Sequence, residues 1–296
     1  MKGFIRNGVL LLAVVVVVFG CVKEGKKYSS CERGPKIIEG FSSPESVASD
    51  NKGKMFFVSN VGEELLPSTK DGDGFISLVT KEGKIKELKY LPAGDEFLDA
   101  PKGMVVVGKV LYVTDIDRVV GYNIKNRKKV FELDMSSEGS LFLNDLVVVG
   151  KDTLLVSATD IGKIYIINTG KEPSYELLAG GIPYVNGLYF DPHSSMVFVV
   201  SFGGEEKKIG DIGVIDLASD KASYKVLKKD VGQLDGVALI PGYGIVISDW
   251  VEFGKPGRML AFTPATGEVD VVSVFGQIQG PADFFYDSSC GKVWIP

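Results

Sequence analysis

The sequence predicts an all-β fold, a six-bladed β-propeller, and two observations support this prediction. A short segment recurs six times along the 296 residues, and each copy is followed by a turn and then by a β-branched or aromatic run. The second residues of successive segments are 57, 42, 42, 49 and 47 positions apart, which is the size of a four-stranded propeller blade. No stretch of a dozen residues sustains the 3.6-residue period of an amphipathic helix. The second residues of the six segments are Glu45, Lys102, Asn144, Asn186, Asp235 and Ala282.

The last blade is expected to be short. Its segment begins at Pro281, and only two strands in all fit between that point and Pro296. Propellers commonly close the ring with a strand from the other end of the chain, and residues 36–39 are the candidate here. This closure gives three strands, so we expect the last blade to be closed by an N-terminal strand and to be incomplete at its C-terminal end. Residues 35–296 then form one propeller domain.

Residues 1–20 are predicted to be a signal peptide. Lys2 and Arg6 precede an apolar run over 9–19, which is shorter than the ~20 residues of a membrane span. The residues before Cys21 resemble a bacterial lipobox, which implies that Cys21 is lipidated; an ordinary secretory signal or an uncleaved anchor are the alternatives. Residues 21–34 are polar and aperiodic, as in a tether. We therefore expect an exported protein of the cell envelope or periplasm, which contacts the membrane only through its lipid.

If Cys21 carries lipid, two cysteines remain for a disulfide, Cys31 and Cys290. Export permits such a bridge, and closure through residues 36–39 would bring Cys31 towards the last blade. The alternative is two free thiols.

Composition excludes several classes of function. The chain has 33 basic and 38 acidic residues and a formal charge of −5, so we expect no nucleic-acid partner. Its one histidine, His193, lies in a predicted turn and excludes a histidine-rich metal centre. Catalysis would then depend on carboxylates, amides, hydroxyls or a hard cation. We expect a monomer.

The innermost strands of a propeller line its central channel, so the second residues of the segments should form a ring there. Five of these six residues are polar. Carboxylate and amide oxygens suit Ca²⁺ better than zinc, and Mg²⁺ is an alternative. The polar residues could also serve only to hold water and to cap strand amides.

The repeat resembles the senescence-marker-protein/gluconolactonase family over residues 35–296. The resemblance implies a divalent cation held by Glu45, Asn186 and Asp235, with Asn144 as a further ligand or as a contact to metal-bound water or substrate. It also implies hydrolysis of a lactone or ester, with the metal as Lewis acid. Asp235 would then be the general base or would only position the attacking water, because a metal-bound carboxylate is a poor base.

Two departures from the family pattern affect the substrate. Phe142 stands where the sugar lactonases have an arginine, and Lys102 introduces a cation into the ring. We include both among the candidate substrate-binding residues, together with Asp249 and Trp250 at the channel mouth. Trp250 and Asp249 could equally supply a supporting hydrogen bond, an indole shelf or core packing.

Two further acidic groups of residues are interpreted as structural. Asp115, Asp117 and Arg118 are expected to form a local ion pair at a blade edge. The sequence from Asp71 to Gly74 lacks the full ligand set of a calcium loop and is interpreted as a solvated turn.

The sequence leaves two functions. The first is an exported, metal-dependent hydrolase of small lactones or esters. The second is a non-enzymatic propeller that serves as a binding or scaffold module at the envelope, since the fold supports both.

Overall fold

The structure is a computed structural model that describes residues 13–18, 34–50, 52–204, 208–274 and 276–296. In these ranges the chain forms antiparallel strands, one short 3₁₀ helix and no α-helix. The all-β prediction and the β-propeller prediction are confirmed. The described residues contain no helix with the length and apolar character needed to cross a membrane.

The strands follow one another in sequence around the propeller. The N-terminal strands are β1 (Ala13–Val18) and β2 (Lys36–Glu39). Blade one contains β3 (Pro44–Ser49), β4 (Met55–Asn60), β5 (Phe75–Thr80) and β6 (Ile85–Leu91). Blade two contains β7 (Pro101–Val107), β8 (Val110–Asp115), β9 (Arg118–Asn123) and β10 (Lys129–Asp134), followed by the 3₁₀ helix Ser136–Glu138. Blade three contains β11 (Leu143–Gly150), β12 (Thr153–Ala158), β13 (Lys163–Asn168) and β14 (Ser174–Gly180).

Blade four contains β15 (Val185–Asp191), β16 (Met196–Ser201), β17 (Gly210–Asp216) and β18 (Tyr224–Gly232). Blade five contains β19 (Leu234–Ile240), β20 (Gly244–Asp249), β21 (Pro256–Thr263) and β22 (Glu268–Val272), and the two-residue β23 (Ile278–Gln279) pairs with β21. The last strands are β24 (Phe285–Asp287) and β25 (Lys292–Ile295).

Five blades, rather than the predicted six, each consist of four consecutive strands. The remaining sheet is a composite of both chain ends, in the order β2-β1-β25-β24. The predicted closing strand at residues 36–39 is present as β2, but it does not pair with the C-terminal strands. Instead β1 lies between β2 and β25 and pairs antiparallel with both. The expected deficit of one strand is therefore absent from this sheet, because part of the predicted signal segment supplies the strand.

The hydrophobic core lies between neighbouring sheets, as the apolar side chains of each strand require a facing sheet. One apolar cluster joins blades one and two, and similar clusters continue from blade to blade to blade five. Two more clusters pack the composite sheet against blade five on one side and blade one on the other. In the second of these, Trp294 stacks on Phe56 with ring centroids 4.1 Å apart. The composite sheet thus closes the ring.

A β-bulge interrupts the inner strand of each of the five blades at the repeated segment. In blade one, Pro44 pairs with Asn60 but Val47 pairs with Val58, and the same step occurs in β7, β11, β15 and β19. Bulges turn side chains away from the regular alternation of a strand. A hydroxyl from the second strand can accept the freed amide: Ser59 accepts from Ser46 N at 2.8 Å. Ser157 and Ser248 do the same in blades three and five. In blades one, three and five, the serine next to the end of the second strand thereby supports the bulge.

The glycines of the repeated segments allow neighbouring inner strands to approach closely. A Cβ at Gly187 would lie 2.1 Å from the carbonyl oxygen of Asp235, and one at Gly103 would lie 2.5 Å from that of Asn144. Asn186-Gly187 and Asp235-Gly236 therefore lie on bulged strands in close contact with a neighbouring strand or segment. They are not turns.

Candidate functional site

The ring residues lie on the bulged inner strands, and these strands contact one another in order around the channel. Glu45 is on β3, Lys102 on β7, Asn144 on β11, Asn186 on β15 and Asp235 on β19. The amides of Asn144 and Asn186 meet directly, because Asn144 Nδ2 donates to Asn186 Oδ1 at 2.6 Å. Asn144 Nδ2 also donates to Thr159 Oγ1 at 3.2 Å. The geometry therefore brings neighbouring ring positions into contact.

Asp235 is a buried carboxylate with one unsatisfied oxygen. The residue is 5% exposed, and its Oδ2 accepts a hydrogen bond from Trp250 Nε1 at 2.9 Å. Its Oδ1 is buried without a hydrogen-bond partner, and the same holds for Glu45 Oε2. Buried polar atoms are normally paired, so two orphaned carboxylate oxygens in one channel need a physical reason.

Burial and mutual repulsion disfavour the ionised forms of these two acids. Desolvation, followed by the charge of Asp283, raises the pKa of Asp235 to about 8, while the hydrogen bond from Trp250 and the nearby amide of Asn186 act in the opposite direction. Desolvation, followed by the charges of Asp235 and Asp283, raises the pKa of Glu45 well above its usual range. Lys102 opposes that shift only in part.

Two further acids lie one position along the same segments, at Asp145 and Asp283. Asp145 is 6% exposed and accepts hydrogen bonds at 2.7 Å from Leu146 N and Leu188 N. Asp283 Oδ2 accepts from Ser46 Oγ at 2.5 Å. Burial raises the pKa of Asp283 to about 6, and it raises that of Asp145 well above its usual range. Sequence reasoning did not include Asp145 or Asp283 in the site, because it followed only the second position of each segment. An acidic residue at the third position of these two segments is the sequence feature that could have identified them.

Lys102 is enclosed rather than presented to a ligand. It is 1% exposed, its Nζ donates to the carbonyl oxygen of Ala100 at 3.0 Å, and that Nζ lies 4.6 Å from the ring centroid of the half-buried Phe142. Desolvation lowers its pKa to about 8, against the attraction of Glu45. The side chains proposed to bind substrate at these two positions therefore pack on each other.

Asp249 is a structural anchor for the loop that carries Trp250. Its carboxylate is fully buried and accepts from Gln233 N at 2.9 Å, Val251 N at 3.0 Å and Arg258 Nε at 2.7 Å. These contacts leave it no surface for a substrate. Trp250, by contrast, is half-buried and donates a hydrogen bond to Asp235. A supporting hydrogen bond was one of the roles expected for Trp250 from the sequence.

Asp115 occupies the corresponding place in blade two. It accepts from the amides of Asp99 and Ala100 and forms an ion pair with Arg118 at 2.8 Å. The predicted local ion pair at this blade edge is present. Asp117 takes a different partner, Lys70, at 2.6 Å.

The remaining candidates lie away from the channel or outside the described residues. His193 is exposed in a turn, where its amide donates to Asp191 Oδ1. Asp71 is also exposed, and Asp73 Oδ2 accepts from Glu63 N, which agrees with a solvated turn. Cys290 is disulfide-bonded. Cys21 and Cys31 lie outside the described residues, as does the tether up to residue 33.

The residues of the channel fit a hard cation on the chemistry of their donor atoms. Glu45 Oε2 and Asp235 Oδ1 are unpartnered carboxylate oxygens, and Asn186 Oδ1 retains a second lone pair after accepting from Asn144. Oxygen donors of this mixed kind are those that Ca²⁺ takes. Within the described ranges, no group of three or more His, Cys, Asp or Glu is arranged to hold a metal.

Comparison with known proteins supports the fold alone. No protein-family model matches the chain, and no curated protein sequence is similar to it. Among solved structures, the chain resembles one in the crystal structure of a nidogen/laminin complex, with a TM-score of 0.61 and 17% identity over 90% of this chain and 93% of that one. It also resembles a hypothetical selenium-binding protein from Sulfolobus tokodaii, with a TM-score of 0.54 and 14% identity over 82% of this chain and 71% of that one. These likenesses support a β-propeller and do not extend to the gluconolactonase family.

Proposed function

We propose that this β-propeller binds a divalent cation, most favourably Ca²⁺, at one side of its central channel and hydrolyses a small lactone or ester there. The observation that carries the proposal is the pair of buried, unpartnered oxygens, Asp235 Oδ1 and Glu45 Oε2. An isolated buried carboxylate is strongly disfavoured unless it is protonated, paired or bound to a metal.

The charge balance of the channel supports a cation. Four acids, Glu45, Asp145, Asp235 and Asp283, influence one another's pKa values, whereas Lys102 is the basic group acting on Glu45. With all groups ionised the cluster has an excess of negative charge. A divalent cation would offset most of that excess, and it would also polarise a carbonyl group and stabilise the oxyanion formed on attack by water.

The protein's own residues would orient the reactants. Trp250 fixes the Asp235 carboxylate through its Nε1, so Asp235 can hold the attacking water in one direction. The side-chain amide of Asn144 is aligned by the two hydrogen bonds that its Nδ2 donates to Asn186 and Thr159. Its Oδ1 is then the atom able to accept a hydrogen bond from a water or a substrate. Glu45 and Asn186 serve as ligands in this scheme.

The test is a panel of lactones and esters assayed with Ca²⁺ and with a chelator, alongside calorimetric titration of the metal. We expect Ca²⁺ binding and chelator-sensitive hydrolysis in the wild-type protein, and loss of both in Asp235→Asn. Asp134→Asn is the matched control, because Asp134 is an exposed carboxylate on β10. Metal binding without turnover would favour the non-enzymatic binding module, and the absence of binding would remove the cation proposal.

We also propose that the protein is exported. The disulfide at Cys290 supports this location, since disulfides persist mainly in oxidising compartments. Mass spectrometry of the protein from a cell-envelope fraction tests the proposal. An oxidised chain in the envelope fraction agrees with it, and the N-terminus of that chain shows whether residues 13–18 are retained as β1 or removed before a lipidated Cys21. A reduced chain confined to the cytoplasmic fraction contradicts it.

A further inference from the structure

Three aromatic side chains form a patch beside Asp235, defined here as Phe202, Trp250 and Phe253. The ring centroids of Trp250 and Phe253 are 5.0 Å apart, and Phe202 lies 5.8 Å from Trp250 and 6.0 Å from Phe253. Trp250 is also the residue that donates to the Asp235 carboxylate. The aromatic patch is therefore continuous with the unpartnered oxygens of the channel.

The aromatic patch is open to solvent and offers no free hydrogen-bonding group. Phe253 is 53% exposed and the adjacent Val251 is 41% exposed. The side chains of Phe202 and Phe253 have no polar atom, and the one indole N–H is already donated to Asp235. Aromatic surface in this setting is favourable for an apolar group and provides little for the hydroxyl groups of a sugar.

The loop that carries Trp250 and Phe253 is anchored by several contacts. Trp250 N donates to the carbonyl oxygen of Gln233 at 3.0 Å, and the indole packs so closely on Gly280 that a Cβ there would lie 2.9 Å from the ring. Val251 has a φ of 62°, which is strained for a β-branched residue, and Asp249 accepts its N–H. Strain of this kind persists where the surroundings over-determine the conformation, and it is concentrated at ligand-binding sites.

We propose that the aromatic patch binds the apolar part of the ligand, so that the preferred substrates are esters or lactones with an aryl or alkyl group rather than polyhydroxylated sugar lactones. This inference rests on the proposed function for the position of the reacting carbonyl, next to Asp235. The apolar group then lies against Trp250 and Phe253, on the solvent side of the carboxylate.

Binding is measured with unreactive amides, so that it does not depend on turnover. Acetanilide carries an aryl group on an acetyl amide, N-methylacetamide replaces that ring by a methyl group, and gluconamide is the sugar analogue. The chain has two tryptophans, and Trp294 is 1% exposed and stacked on Phe56. Quenching of tryptophan fluorescence on titration therefore reports on Trp250, with and without a chelator present.

We expect acetanilide to bind at least about tenfold more tightly than either other amide, because only its ring removes apolar area from water at the patch. Phe253→Ala should weaken acetanilide binding about fivefold and leave N-methylacetamide unchanged, since the ring supplies contact area only. Phe97→Ala is the matched control: Phe97 is also 53% exposed, but it packs on Arg118 in blade two.

Each outcome separates this inference from the proposed function. Equal binding of the three amides, or unchanged acetanilide binding in Phe253→Ala, would overturn the inference even if hydrolysis is found. Aryl-selective binding that depends on Phe253 would support it even if no substrate is hydrolysed. Phe253 is exposed, and thermal unfolding of the variant verifies that it folds as the wild-type protein does.

Discussion

Replacing Asp235 by Asn should stabilise the cation-free protein, and the gain should grow with pH. Asn keeps an oxygen that can accept the Trp250 N–H bond, and it removes only the charge. The folded-state pKa of Asp235 is about 8, against an ordinary value of 3.8, so between these pH values the folded state binds more protons than the unfolded one. The wild-type protein therefore loses stability as the pH rises through this range, and the variant does not lose this contribution.

The magnitude follows from 1.36 kcal/mol per pKa unit. At pH 5 the unfolded carboxyl is ionised and the folded one is protonated, which disfavours folding by about 2 kcal/mol. At pH 8 the penalty reaches about 5 kcal/mol, after allowance for half-ionisation in the folded state. The change of roughly 3 kcal/mol between the two pH values is large beside a total stability of about 5–15 kcal/mol. Removing this charge also relieves Glu45, which shifts the result in the same direction.

The assay is urea denaturation of wild-type and Asp235→Asn protein at pH 5 and pH 8, in chelator and in Ca²⁺. In chelator, the variant should be more stable by a margin that increases with pH. In Ca²⁺ at pH 8, the wild-type protein should gain stability and the variant should not, because ligand binding to the folded state is the source of that gain. A margin that is equal at both pH values, or a variant that is less stable at pH 8, would refute the reasoning.

Three more predictions follow from single contacts. Asp249→Ala should lower the free energy of unfolding by about 3 kcal/mol in chemical denaturation, because two amides and Arg258 lose their acceptor. The indole of Trp250 should become more exposed to solvent, which shifts its fluorescence emission to longer wavelength; an unchanged emission spectrum would contradict the anchoring role. Lys102→Met should tighten Ca²⁺ binding about tenfold in calorimetric titration, since it removes a buried positive charge that would repel a cation bound near Glu45. Weaker binding would contradict this expectation. Deleting residues 1–20 should lower the melting temperature, because β2 and β25 each lose their pairing with β1; an equal melting temperature would show that β1 adds no stability.

The fold was predictable because each blade repeats the same local solution. The spacing of the segments identified the five four-stranded blades, but it also predicted a sixth at Pro281, where the structure has the composite sheet of both chain ends. The sequence did not show that Gly187 and Gly236 were needed for close strand packing, since Asn-Gly and Asp-Gly are equally good turn sequences. The position of β1 was missed for a similar reason: a continuous apolar run fits a signal core and a buried strand alike.

The candidate site was predictable in position but not in chemistry. The ring of Asn144, Asn186 and Asp235 follows directly from equivalent positions in the repeat. The role of Asp249 depends on the amide of Gln233 from the preceding loop and on Arg258 from β21, and the enclosure of Lys102 depends on how Phe142 lies over it. Contacts of this kind arise between segments far apart in sequence. Local pattern alone does not contain them.

The distribution of charge around the ring is compatible with the proposed cation site, although a lysine lies in the same channel. Asp235 belongs to blade five, Asp283 precedes the composite sheet and Glu45 belongs to blade one, so these three acids follow one another around the ring. Lys102 comes next, on blade two, and acts on Glu45, whereas the pKa of Asp235 is set by burial and Asp283. The most favourable place for a cation is therefore off the axis, towards Asp235. The aromatic patch borders the same side, so a ligand whose carbonyl reaches the cation there would have its apolar group against Trp250.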